Sequence, residues 1–365
     1  SLKAGGMVSR TVQGLNDEAA NGYYYYGTQI PSASAACAFT VSAHNVGDNP
    51  LFGDTEPDLF HFSAGTYSGK FYFDPNTIEM VVLVPLQDVK NIPRFQGTTS
   101  HSNHLMGFTI ITPEGIQYHY GEYQGNKALE MTRASGSSPE VASAWYLLAI
   151  ETPDGIRKLR FTYEDENFSQ RFRLSNTTQC ESGGVGPGPS IYYWSVVVTE
   201  VIGGYVRETT TNYPPHGYSS NAPPISLSGS TGYSFTKGKR LVSISNSSGT
   251  ECIQFAHGAD REDLHYDTHF SNVPYAQPKV LDHILITSGD FEKSFHLDYD
   301  YWVDQTSQAA THDYDNKRLR LLSVREKDKV GTNEKPPYLF DYHQKEGTPH
   351  FLPNKLSRAI DHWGF

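Results

Sequence analysis

Little in this sequence supports a disulfide scaffold, a membrane helix or a nucleic-acid surface. Only three cysteines, Cys37, Cys180 and Cys252, occur in 365 residues. At most one pair can close, so there is no disulfide framework. No apolar run approaches the roughly 20 residues of a membrane-spanning helix. Basic charge is scarce: 29 Lys and Arg stand against 40 Asp and Glu, a net charge of -11. Such a chain has no electrostatic footprint for phosphate backbones, so no nucleic-acid partner is expected. Catalytic signatures are also missing: G-x-S-x-G, H-E-x-x-H, the P-loop and Cys-x-x-Cys do not occur. The run Gly183–Gly188 is interrupted by Pro187. It lacks the strand-loop-helix setting of a nucleotide site and reads as a loop. No catalytic, cofactor-binding or metal residue is assigned, and the chain is expected not to be an enzyme.

What is present is the vocabulary of strands and turns. The chain holds 24 Tyr, 19 Phe, 32 Gly and 21 Pro. Tyr, Phe, Thr and Val suit pleated, half-buried surfaces, while Gly and Pro punctuate turns. An all-β, mostly antiparallel architecture follows. Residues 1–100 read as an N-terminal β region of short hairpins. Phe60–Phe62 and Phe71–Phe73 have period-2 aromatics around a Gly-containing connection, and Met80–Val84 is a continuous apolar strand ended by Pro85.

Residues 101–365 carry an internal repeat. Leu147, Ile150, Gly155, Phe161 and Tyr163 share one spacing with Leu241, Ile244, Gly249, Phe255 and His257, and with Leu281, Ile284, Gly289, Phe295 and Leu297. A fourth copy is read at Leu319, Leu322, Phe340 and Tyr342, and a fifth begins at Leu356. Met106–Gly121 is an early, weaker copy with Gly115 in register. Each unit predicts a strand, a Gly turn with φ > 0, and an alternating return strand. A lone hairpin is marginal in water, so such units are expected to stack into an array. A loop-rich two-stranded insert is read at 165–237. It is centred on a hairpin around Gly203-Gly204, with Asn167, Asn176 and Tyr213–Pro224 in loops.

Several residue sets are candidate sites. Asp54, Glu56 and Asp58 alternate and would line one face of an extended segment as hard-cation ligands for calcium. Pro57 and Gly53 favour a solvated turn instead. His101, His104 and His119 would cluster if Met106–Gly121 folds back, but nothing completes a tetrahedral zinc set. Asp298 with Asp300, and Asp313 with Asp315, are candidate acid pairs for glycoside hydrolysis. Tyr299, Tyr301, Trp302 and Tyr314 would form a sugar platform beside them; core packing is the preferred reading of these aromatics.

Tyr314-Asp315-Asn316-Lys317-Arg318-Leu319 resembles the YD-repeat core, Tyr-Asp-x-x-Gly-Arg-Leu, with the Gly missing and one residue fewer. Phe235-Thr236-Lys237-Gly238-Lys239-Arg240-Leu241 is similar. The ends Ser1–Arg10 and Leu356–Phe365, and the segments Gly14–Glu18, Glu56–Phe60 and Ser68–Phe71, also resemble the RHS/YD-repeat family in its Bacteroidetes-type, toxin-related proteins. The resemblance is patchy and weakest over 165–237, and both ends read as cut from something longer. It implies a non-catalytic structural segment of a large secreted or cell-surface bacterial protein. In that family, hairpins curve into a shell around another polypeptide, such as a C-terminal effector. The partners implied are therefore the remainder of the same polypeptide. The alternative is an extracellular module that binds a surface glycan or protein through exposed Tyr and Trp, including the Tyr residues of 213–233. No cofactor is expected under either reading.

Overall fold

The computed structural model describes residues 6–14, 16–19, 22–26, 56–74, 77, 79–85, 87–96, 104–134, 140–177, 192–202, 205–216, 227–265, 276–303, 313–328, 335–342 and 355. The fold is all-β, and every strand pairing is antiparallel. The chain begins with β1 (Met7–Thr11), one helical turn (Tyr23–Tyr26), β2 (Leu59–Ala64), β3 (Tyr67–Phe73) and β4 (Met80–Val84). Next come β5 (Lys90–Gln96), β6 (His104–Ile111), β7 (Gln117–Tyr123), β8 (Asn126–Ala134) and β9 (Val141–Glu151). The remaining strands are β10 (Lys158–Thr177), β11 (Tyr192–Ile202), β12 (Tyr205–His216), β13 (Leu227–Asn246), β14 (Glu251–Asp260), β15 (Lys279–Ser288), β16 (Phe291–Val303), β17 (Lys317–Asp328) and β18 (Tyr338–Leu339).

The N-terminal half has a closed aromatic core. β4, β3, β2, β1 and β9 pair in that order, and β9 continues through β7 and β6 to β5. Alternation puts Phe60, Phe71, Phe73, Phe108 and Trp145 on the inside, each fully buried. Their rings meet at 5.0–6.1 Å between centroids, from Phe108 on Trp145 to Phe73 on Phe108. Each such pair contributes about 0.5–1.5 kcal/mol beyond area burial. The Trp145 indole donates to the Leu105 carbonyl at 2.9 Å, so its N–H is satisfied in the core. The β2–β3 hairpin is tighter than the sequence suggests. Ala64 pairs with Tyr67 around Gly65 at φ 65°, and both strands extend into the stretch read as connection.

The early copy and the first three full copies form hairpins as expected, while the fifth copy, from Leu356, lies outside the described residues. Gly115, Gly155, Gly249 and Gly289 all have positive φ, between 56° and 83°, at their turns. Gly115 and Gly155 N–H donate to Thr112 and Thr152 carbonyls at 2.8 and 2.9 Å. The array then runs β10–β13–β14–β15–β16–β17–β18. Because β8 also pairs with β9 and β13, strands β9, β10, β13 and β8 form a closed circuit of pairings.

The segment 165–237 departs from the sequence reading. The expected hairpin is present as β11–β12. Residues 165–177 and 227–237 are not loop, however, because β10 and β13 pair from Leu159↔Asn246 to Thr177↔Leu227, and Tyr213–His216 belong to β12 instead of a loop; 178–191, with the Gly183–Gly188 run, lie outside the described residues. Asn167 is 2% exposed within β10, its N–H donating to the Ala276 carbonyl at 2.7 Å. Its polar side chain suggested a turn, but the long strand pair overrides local preference.

One structural device was not visible in the spacing. Each incoming repeat strand has a one-residue bulge where it meets the preceding return strand. The shifts fall at His119/Tyr120 opposite Leu147–Ala149, at Thr162/Tyr163 opposite Leu241–Ser243, and at Ala256/His257 opposite Leu281–His283. The last falls at Asp298/Tyr299 opposite Leu321–Ser323. A strand has period 2, so residues three apart normally face opposite ways. The extra residue restores them to one face. Leu147 with Ile150, Leu241 with Ile244 and Leu281 with Ile284 all pack in or against one core. The same rule moves the fourth copy by two residues, to Leu321 and Val324. The Tyr342 hydroxyl confirms that register by donating to the Leu321 carbonyl at 2.8 Å. Tyr163 does the same to Leu147 at 2.8 Å, and His257 Nε2 to Leu241 at 2.9 Å.

Candidate functional site

The bulged strands present their Leu and aromatic side chains on one concave face. There they line a cavity of about 340 Å³ with Met7 of β1 and Tyr146 of β9. Its apolar wall is Leu241, Phe255, Leu281, Leu297 and Leu321. Its polar groups are Tyr163, Glu166, Arg240, His257, Arg261 and Tyr299. Burial lifts the Glu166 carboxyl, with Arg240 and Arg261 opposing. Burial likewise lowers the His257 imidazole, consistent with a neutral ring donating through Nε2. Burial works against the charge on Arg261, but Asp263, at 2.7 and 2.9 Å, more than offsets it. The face thus combines apolar surface with a few oriented polar groups, the composition of a recognition site.

Around this face the burial pattern differs from that of the aromatic core. Across β15, β16 and β17 only Ser323 is buried; nearly every other position on both faces is half-buried. β6 and β9, by contrast, alternate runs of buried residues around the aromatic core.

The Tyr-Asp motif is structural. Asp315 is 1% exposed and accepts from Arg171 of β10 at 2.6 Å. Tyr314 stacks on His265 at 4.9 Å. The Asp315 carbonyl accepts from the Lys355 N–H at 3.1 Å. Asp263 adds a second tie, accepting from the Leu319 N–H at 3.3 Å. The motif therefore pins the start of β17 to a strand 144 residues earlier. The N-terminal segments that carry the resemblance also meet. Asp17 and Asp58 accept each other's N–H groups, at 3.0 and 3.2 Å, and Arg10 lies 3.4 Å from Asp58.

The other candidate residues do not assemble. Asp54 lies outside the described residues. Glu56 is exposed, whereas Asp58 is fully buried beside Arg10 and accepts from Gln13 and Asp17 N–H. Burial pushes the Asp58 carboxyl up to about 6 against the pull of Arg10. Asp58 and Glu56 thus do not share a solvent face as calcium ligands. Among the histidines, His101 is outside the described residues. The His104 side chain is 76% exposed, 3.9 Å from Glu18, while His119 is buried on Thr109 and Tyr123.

In both carboxylate pairs the two acids are bound by separate partners. Asp298 is held by Ser323 and Arg325, which lower its pKa. Asp300 is held by Arg320 at 2.6 Å. Asp313 pairs with Lys317, away from the buried Asp315. The aromatics disperse: Tyr299 enters the cavity, the Tyr301 hydroxyl accepts from the Glu262 N–H, and Trp302 packs edge-on against Tyr342. Cys37, Cys180 and 217–226 lie outside the described residues, and Cys252 is a half-buried free thiol. No helix is long and apolar enough to cross a membrane, among the described residues. No family model matches the chain, and no curated protein matches it.

Proposed function

We propose that this chain is a non-catalytic wall segment of a large secreted or surface scaffold of RHS/YD-repeat type, whose concave face lies against another polypeptide of the same protein. The observation that carries this reading is the repeat sheet β15–β17, whose Leu and Tyr side chains stay half-buried instead of closing into a core. A free-standing domain covers such a face; a wall leaves it to what it encloses. Thiol accessibility tests the reading. Cysteines placed at Leu297 and Tyr299 should react with a maleimide in this segment alone. In a longer chain that carries the segment, they should be protected. Equal labelling in both would remove the proposal.

A second reading, a glycan- or protein-binding module, draws on the cavity itself, where Tyr163, Tyr299, Arg240 and Glu166 converge. A glycan array probed with the wild type and with Tyr299→Ala separates the two. Binding abolished by that change supports the module.

A further inference from the structure

The geometry points to a divalent transition-metal site, of the kind zinc occupies, at Asp282, His283 and His296 on the repeat sheet. One ligand atom from each of these residues lies within 4.8 Å of the others. Two features of the sheet create the cluster. His283 and His296 are directly paired across β15 and β16, the closest arrangement that neighbouring strands offer. Asp282 would point away from His283 in a regular strand, but it is the extra residue of the bulge. The bulge brings its carboxylate to His283, with Oδ2 at 2.7 Å from Nδ1.

Two imidazoles and a carboxylate are a ligand set for zinc and its neighbours, with positions left open for water. Two ligand atoms on one tetrahedral zinc stand about 3.4 Å apart, from bond lengths near 2.1 Å. The ligand atoms lie within 4.8 Å of one another, so no pair has to close by more than about 1.4 Å. Without an ion the rings are stacked, 4.9 Å apart and 23° from parallel, so ligation turns each ring to aim a nitrogen at the metal. The site is open to ions: the Asp282 side chain is 56% exposed and that of His283 31%. Ser294 Oγ sits 3.2 Å from His296 Nε2 and restrains that ring. An opposing charge is Arg325, the cross-strand partner of His296. It is 2.6 Å from Asp298 Oδ2, which offsets it. The corresponding bulge pairs of the other copies are Leu148-Ala149, Val242-Ser243 and Leu322-Ser323, none of which holds this ligand set. The cluster is therefore a property of one repeat and not of the array.

The test is calorimetric titration of the whole chain with zinc chloride under reducing conditions, comparing wild type with His283→Ala, His296→Gln and Asp282→Asn. Circular dichroism of each variant monitors the fold. The expected result is a zinc-binding event in the wild type that either histidine change weakens at least tenfold. Asp282→Asn, at an exposed position, should weaken it without altering the spectrum. Wild-type affinity retained in all three folded variants, or no zinc uptake by the wild type, overturns the site. If a histidine variant loses its β spectrum, Asp282→Asn decides in the same two directions.

Discussion

At the residue scale, two groups carry predictions of opposite character. His119 is 4% exposed, bonded to Thr109 Oγ1 at 3.0 Å and stacked on Tyr123 at 3.8 Å. Burial lowers its imidazole to about 4, with Glu151 opposing. The folded state therefore holds it neutral, while the unfolded chain protonates near pH 6.5. Its stabilising contribution is complete above that value and is lost as pH falls from 6.5 toward 4. Urea midpoints at pH 7 and 4.5 should show the wild type losing about 2 kcal/mol more than His119→Gln; equal losses would contradict the assignment. The glycines divide by surroundings. A Cβ on Gly289 meets nothing within 4 Å, so Gly289→Ala should cost only its left-handed backbone, about 1–2 kcal/mol. At Gly121, φ 78°, a Cβ would sit 2.4 Å from both the Met106 carbonyl oxygen and Trp145. Gly121→Ala should thus lower the melting temperature several times further than Gly289→Ala.

At the element scale, the bulge is what makes Leu-x2-Ile a strand motif. Deleting Val242 removes the extra residue opposite Thr162/Tyr163 and sends Leu241 or Ile244 to the wrong face. The deletion should destabilise by more than Val242→Ala, which only trims a side chain, as read by denaturant midpoints. The repeated hairpins, their Gly turns and the strand Met80–Val84 were legible because turn chemistry and local periodicity encode them. The bulges were not, because a bulge is a relation between two strands and leaves only an odd spacing in one. That is why the fourth copy was aligned on Leu319 and Leu322 instead of Leu321 and Val324. The tie between Asp315 and Arg171 was hidden by the 144 residues separating them. The Asp282 cluster was hidden for both reasons: His283 meets His296 across strands, and Asp282 joins them only through the bulge.

At the scale of the whole molecule, a buried aromatic core continues into a half-buried repeat sheet, so stability should be graded along the chain. Amide hydrogen exchange read by mass spectrometry is expected to be slowest in β6 and β9, around Phe108 and Trp145, and faster across β16 and β17. Uniform protection would contradict that grading. The bulges also have a collective effect. They recur once per repeat, on alternate strand pairs and each stepped two residues along the strand from the one before, next to Tyr120, Tyr163, His257 and Tyr299. Each one bends its strand and adds right-handed twist. Set side by side, they act as a crease scored across the fabric, and each added hairpin extends the same fold line. A sheet built this way takes its curvature from a count of residues within each repeat, so it can lengthen without changing its bend.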